Sequence, residues 1–114
     1  MIIDLAKVSY DGRWYDFGGG RLKIRPYPMS KADIIFKDGD VVISGDESCE
    51  MFDYCLTEWE GVNDAEGKAI ALTSAIKRTI YDFRLGTHEG QCMSAFVLAT
   101  ARAITEEIGA GAKN

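Results

Sequence analysis

The apolar positions of this chain keep two different periods. From Met93 onward, Met93, Phe96, Val97, Thr100, Ala101, Ile104 and Ile108 recur at the 3.6-residue spacing of one helix face. That pattern predicts a helix from about Glu89 to Ile108. Nearer the start the period is two. Arg21-Leu22-Lys23-Ile24-Arg25 alternates strictly, which predicts a strand with Leu22 and Ile24 inward and three bases outward. Arg13-Trp14-Tyr15-Asp16-Phe17 reads as its partner. Gly18-Gly19-Gly20 reads as the turn between them, because glycine accepts the positive φ of a tight hairpin. Residues 2 to 8 offer a third strand.

The middle of the chain mixes both signals. Pro26-Tyr27-Pro28 stops the second strand. Ser30 with Asp33 three places later predicts a short helix from Lys31 to about Lys37. The β-preference of Ile34, Ile35 and Phe36 pulls against it. Asp38-Gly39-Asp40 reads as a turn, and Val41-Val42-Ile43 as a strand or a continuing helical region. Met51, Phe52, Cys55, Leu56 and Trp59 share one helix face. A helix is therefore expected from Glu47 to Trp59, capped by Asp46 or Ser48 and ended by Gly61. Asn63 to Gly67 is a turn, and Ala69 to Leu72 returns extended. Thr73 caps the next helix, with Ile76, Ile80 and Phe83 on one face and Gly86 closing it.

These elements predict an α+β fold: an N-terminal β-hairpin or small antiparallel sheet followed by three to four packed helices. The expected organisation is one globular domain over residues 1–108 and a flexible tail over 109–114. With 114 residues, 46% of them apolar, the chain is long enough to bury a core. No apolar run approaches the ~18 residues that span a bilayer. The start, with Asp4 inside a short apolar run and no basic opening, does not resemble a signal peptide. A soluble cytoplasmic protein without membrane contact is expected.

Charge adds a second feature. Ten acids and no base lie between Asp38 and Glu66, whereas seven bases lie between Lys7 and Lys37. Opposite fields on two parts of one molecule favour head-to-tail contact between copies or with a charged partner. Alternatively, the two runs balance each other within one fold.

Candidate chemistry is sparse. Cys49, Cys55 and Cys92 are an odd number without close spacing, which suits reduced thiols rather than a disulfide framework or a metal site. A cysteine nucleophile would need His88, the single histidine, yet no nucleophile signature surrounds either residue type. Asp64 and Glu66 hint at a calcium loop, but Lys68 and Ala69 stand where it needs a ligand and a glycine. Glu58 and Glu60 point apart on a helix and make a poor acid–base pair. Nucleic-acid binding through Arg21, Lys23, Arg25, Trp14, Tyr15 and Tyr27 is opposed by the net charge of −5. No catalytic residue, metal or cofactor is expected, and no nucleic-acid partner.

The stretch from Glu58 to Phe83 resembles small proteins of tailed bacteriophages and prophages, of the tail assembly chaperone type. The residues carrying the likeness are Trp59, Gly61 and Val62, then Asp64 and Gly67, then Ile70 and Leu72, then Thr73 opening a helix. Upstream, the aromatic strand Trp14 to Phe17, the segment Ile24-Arg25-Pro26 and the polar Ser30 fit as well. The cysteines and the Asp38 to Asp46 insert depart from the pattern. The resemblance implies a non-enzymatic protein that holds tail-tube or tape-measure subunits until they assemble, and that associates with itself. Aromatic side chains anchor such contacts at low entropic cost. Trp14, Tyr15, Tyr54, Trp59 and Tyr81 are the expected partner-binding residues. An acidic inhibitor that mimics DNA, using the Asp38 to Glu66 carboxylates as phosphates, is the alternative.

Overall fold

Alternation at Arg21 to Arg25 does place Leu22 and Ile24 in the core, on a strand at the centre of a sheet. The computed structural model describes residues 1–3, 5, 11–28, 35–37, 40–42 and 45–111. Strand β1 (Arg13–Phe17) and strand β2 (Gly20–Ile24) form an antiparallel hairpin in which Phe17 faces Gly20. Gly18 (φ 57°) and Gly19 (φ 84°) make its two-residue turn. Positive φ at both turn positions matches the right-handed twist of the strands. Gly20 has a separate reason to lack a side chain: a Cβ there would lie 2.7 Å from the Glu60 carbonyl oxygen.

Two short strands follow, β3 (Ile35–Lys37) and β4 (Asp40–Val42), paired with each other. Residues 35 to 37, expected at the end of a helix, are thus extended. Three β-preferring residues in a row outweigh the weak capping signal upstream. The rest of that expected helix, the turn at Asp38-Gly39, Ile43 and most of the expected strand at residues 2 to 8 lie outside the described residues. Ile2, Ile3 and Leu5, which are described, lie in no strand.

Helix α1 spans Gly45–Cys55, so Asp46 and Ser48 lie inside it rather than at its cap. It then passes directly into strand β5 (Leu56–Glu60), the third strand of the sheet, in order β1-β2-β5. Trp59 therefore sits on a strand, correcting the helix expected through it. The spacing misleads for a definite reason. Leu56 lies opposite Ile24 and Trp59 opposite Leu22, with a register shift between Lys23 and Ile24. A bulge at this point lets two residues three apart face inward together. The i, i+3 separation of Leu56 and Trp59 then reads as helical.

Helix α2 (Ser74–Phe83) begins as expected, with the Thr73 hydroxyl accepting a hydrogen bond from the Ile76 amide at 3.2 Å. It ends earlier than expected. Arg84 turns left-handed (φ 51°), and the Leu85 amide donates to the Ile80 carbonyl at 3.0 Å. That bond closes the helix before Gly86 is reached. Strands β6 (Thr87–His88) and β7 (Gln91–Cys92) form a small hairpin. Helix α3 (Met93–Gly111) starts after it, four residues later than the periodicity alone suggests.

The molecule is a small α+β protein with a three-stranded antiparallel sheet and, among the described residues, three α-helices. Phe17, Leu22, Ile24 and Leu56 from the sheet meet Phe52 and Cys55 of α1, Ile80 of α2, and Met93, Val97, Ala101 and Ile104 of α3. Phe83, expected on the packed face of α2, is instead 73% exposed. Among the described residues no helix is long and apolar enough to cross a membrane.

The junction of α1 and β5 depends on Lys77. Its side chain, 11% exposed, donates to the carbonyls of Asp53 (2.7 Å) and Leu56 (2.9 Å). The Asp53 carbonyl lies in the last turn of α1, where the helix itself supplies no donor, and the Leu56 carbonyl lies at the first residue of β5. Asp53 Oδ1 lies 3.1 Å from the same nitrogen as an ion-pair partner, outside the ammonium's hydrogen bonds. Lys77→Met keeps the stem but removes all three contacts. It is expected to lower unfolding free energy by about 2 kcal/mol, measured by urea titration.

Candidate partner-binding surface

The five aromatics expected to bind a partner do not form one surface. Trp14 and Tyr15 are neighbours on β1 and point to opposite faces of the sheet. Trp14 lies on the outer face, half-buried under the Arg21 guanidinium, 4.6 Å above its ring. Tyr15 packs against the core and lines an open depression beside α3. Tyr54, on α1, stacks edge-on with Tyr27 (5.5 Å) and carries the Arg25 guanidinium 3.7 Å from its ring centre. Tyr81, on α2, lies 6.2 Å from the Phe52 ring and lines a second depression.

Trp59 has a structural task. Its indole N–H donates to the Ile70 carbonyl at 2.8 Å. Around that bond the whole resemblance stretch closes into one corner. Gly61 adopts φ 73°, and its Cα side faces Gly20 so closely that a Cβ would lie 3.1 Å from the Gly20 Cα. The Ile70 amide donates to the Val62 carbonyl at 3.0 Å. The Asp64 carboxylate accepts from the amides of Glu66 (3.0 Å) and Lys68 (2.9 Å). This is the turn expected at Asn63 to Gly67, built by an acid that satisfies its own loop. The chain then leads to the Thr73 cap.

The outer face of the sheet resolves the charge asymmetry. Lys23 pairs with Glu58 at 3.0 Å and Arg21 with Glu60 at 3.1 Å, across β2 and β5. The basic and acidic runs therefore meet within one sheet. Register explains it: Lys23 and Glu58, and Arg21 and Glu60, are direct cross-strand neighbours. Arg25 turns inward, donating to the Tyr54 carbonyl at 2.7 Å. Close by, the Tyr27 hydroxyl donates to the buried Glu47 carboxylate at 3.0 Å. Burial, then the Glu47 hydrogen bond and charge, push the Tyr27 hydroxyl up to about 12.

The thiols fall into different environments. Cys49 and Cys55 are buried in α1. Burial raises the Cys55 thiol to about 12, against the opposing pull of Arg25 and Lys77. Cys92 is part-exposed at the end of β7, just before α3, with its sulfur 3.5 Å from the Ser94 hydroxyl. That hydroxyl and the Ala95 backbone N–H hold Cys92 below the usual thiol range, with help from Arg84. His88 packs edge-on against Phe17 at 5.6 Å and lines a different depression from Cys92. On the β6–β7 hairpin Cys92 pairs with Thr87, and His88 with Gln91, which puts thiol and imidazole on opposite faces. Among the described residues no group of three His, Cys, Asp or Glu side chains could hold a metal ion. A thiol-specific disulfide reagent at neutral pH is expected to label Cys92 rapidly in the folded protein and Cys55 only after unfolding. Equal rates for the two would contradict these environments.

No family model, curated protein or solved structure matches this chain.

Other surface residues escaped the sequence reading. Phe83 and Leu85, at the end of α2, are exposed large apolar side chains, as are Met1, Ile2, Ile3 and Leu5. Phe83 was hidden by its own periodicity, since it shares a spacing with Ile76 and Ile80. The early left-handed turn at Arg84 carries the chain away before Phe83 can be covered. No local signal at Arg84 announces that turn, because a non-glycine residue there is uncommon.

Proposed function

We propose that this chain works by gripping other proteins, as a tail-assembly chaperone-like or structural protein of a tailed bacteriophage or prophage. The observation that carries the reading is the corner from Trp59 to Thr73. Several residues on which the resemblance rests have connected structural roles there: the Trp59–Ile70 bond, the Gly61 approach to Gly20, the Asp64 turn and the Thr73 cap. Exposed Phe83 and Leu85 support the reading too, since exposed apolar side chains are what a partner covers.

The DNA-mimic reading gains less. Such a mimic needs carboxylates free in a row, whereas Glu58, Glu60 and Asp53 each face a base. The proposed partners are tail-tube or tape-measure proteins. Co-expression tests this: the soluble fraction of a phage tail-tube or tape-measure protein is expected to rise when the chain is present. Unchanged solubility of both, with the chain itself folded and abundant, would overturn the reading.

A further inference from the structure

We propose that two copies of this chain pair by strand exchange, the segment holding Ile2, Ile3 and Leu5 of each copy lying along the edge of β1 in the other that no described strand covers. The receiving edge follows from the hairpin. With a two-residue turn, Phe17 and Gly20 form the hydrogen-bonded pair next to it, and such pairs alternate along an antiparallel ladder. Arg13, Tyr15 and Phe17 therefore exchange bonds with β2, while the amides and carbonyls of Trp14 and Asp16 point away from it. Among the described residues no strand takes them up, since β1 ends the sheet order. An unpaired edge is a template for another strand.

Beside that edge the surface is shaped for side chains. A depression of about 450 Å³ runs between β1 and α3, lined by Tyr15, Phe96, Ala99, Thr100, Ala103 and Ile104. Ala99 and Ala103, one helical turn apart, leave room for large apolar groups to approach the helix.

The same chain carries the matching occupant. Ile2, Ile3 and Leu5 are 63%, 66% and 74% exposed, a dense apolar group left uncovered in one short segment. Five extended residues span roughly 17 Å, the length of the five-residue β1. Size then selects a second copy and a reciprocal exchange. One five-residue strand covers too little for a stable interface, which needs about 1,200–2,000 Å² in total. Each copy holds both a donor segment and an acceptor edge, so two exchanges form at once under two-fold symmetry and leave neither half unused. The proposal does not rest on the phage reading: a dimer of this kind in a chain that ignores tail proteins leaves it intact.

Sedimentation equilibrium of the full chain, from micromolar to submillimolar concentration, provides the test. The wild-type mass is expected to rise toward twice the 12.6 kDa of one chain. Ile2→Ser, Ile3→Ser and Leu5→Ser combined should weaken the dimer more than about a hundredfold, because Ile3 and Leu5, which share one strand face, are lost from the interface in both copies. The helical far-UV circular dichroism should be retained, since these side chains lie outside the core. Asp16→Pro removes an outward amide while leaving the β1–β2 bonds, and should also give a monomer. A wild-type chain that stays monomeric, leaving the edge to some other protein, overturns the proposal. So does a dimer that survives the three serine substitutions, since another face then holds it.

Discussion

Replacing Phe52 by alanine is expected to lower the free energy of unfolding by about 3–5 kcal/mol. Phe52 is fully buried on α1, and around it the sheet and all three helices converge. The surrounding side chains belong to separate elements, so no single movement can refill the space. The lost ring also abandons its contact with Tyr81. Domains of this size are held by about 5–15 kcal/mol, so the variant should be close to unfolding at 37 °C. Urea titration followed by far-UV circular dichroism measures the change. A loss below about 1 kcal/mol would place Phe52 outside the junction of the three helices.

Trp59→Ala is the second large effect, expected at about 3 kcal/mol. Two losses combine. The ring leaves the inner face of the sheet opposite Leu22, and the Ile70 carbonyl loses its donor. The loop from Val62 to Ile70 then keeps only its backbone bonds and the Asp64 turn. Its amides should exchange with solvent much faster than in the wild type, with those of α3 little changed. Trp59→Phe separates the two terms, because it keeps most of the apolar ring and removes the N–H. It should cost only about 1 kcal/mol. If Trp59→Ala costs well below that amount, the ring is not the anchor of the corner, and its place is on an interface.

Those two residues also mark where sequence was a good guide and where it was not. Phe52 lies on the buried helix face that it shares with Cys55, and local periodicity places it correctly. The β1–β2 hairpin, the Thr73 cap and the packed face of α3 were equally legible, because each is decided by residues within a few positions. Trp59 was placed on a helix because Leu56 and Trp59 are three apart. Their true partners, Ile24 and Leu22, lie more than thirty positions away, and a strand that completes a distant hairpin leaves no local mark. The bulge that re-aims it is likewise a property of the pair rather than of either strand.

The same distance effect governed the charges. Two runs of opposite sign were visible, and so were both of their possible meanings. Only the cross-strand register decides that Lys23 meets Glu58 and Arg21 meets Glu60. Of the five aromatics expected at a partner surface, each has a half-buried structural setting, and the exposed apolar residues are others. Phe83 and the group at Ile2, Ile3 and Leu5 could not be found by pattern, since exposure here follows from where neighbouring elements end.

The proposed function requires the folded chain to bind tail proteins. Isothermal titration of the purified full chain with purified tail-tube and tape-measure proteins of a tailed bacteriophage measures this directly. The account predicts a saturable complex with at least one of them, retained in Cys92→Ser and weakened by Phe83→Ser with Leu85→Ser. No heat of binding and no co-sedimentation with either protein, from a chain whose circular dichroism shows it folded, would contradict it.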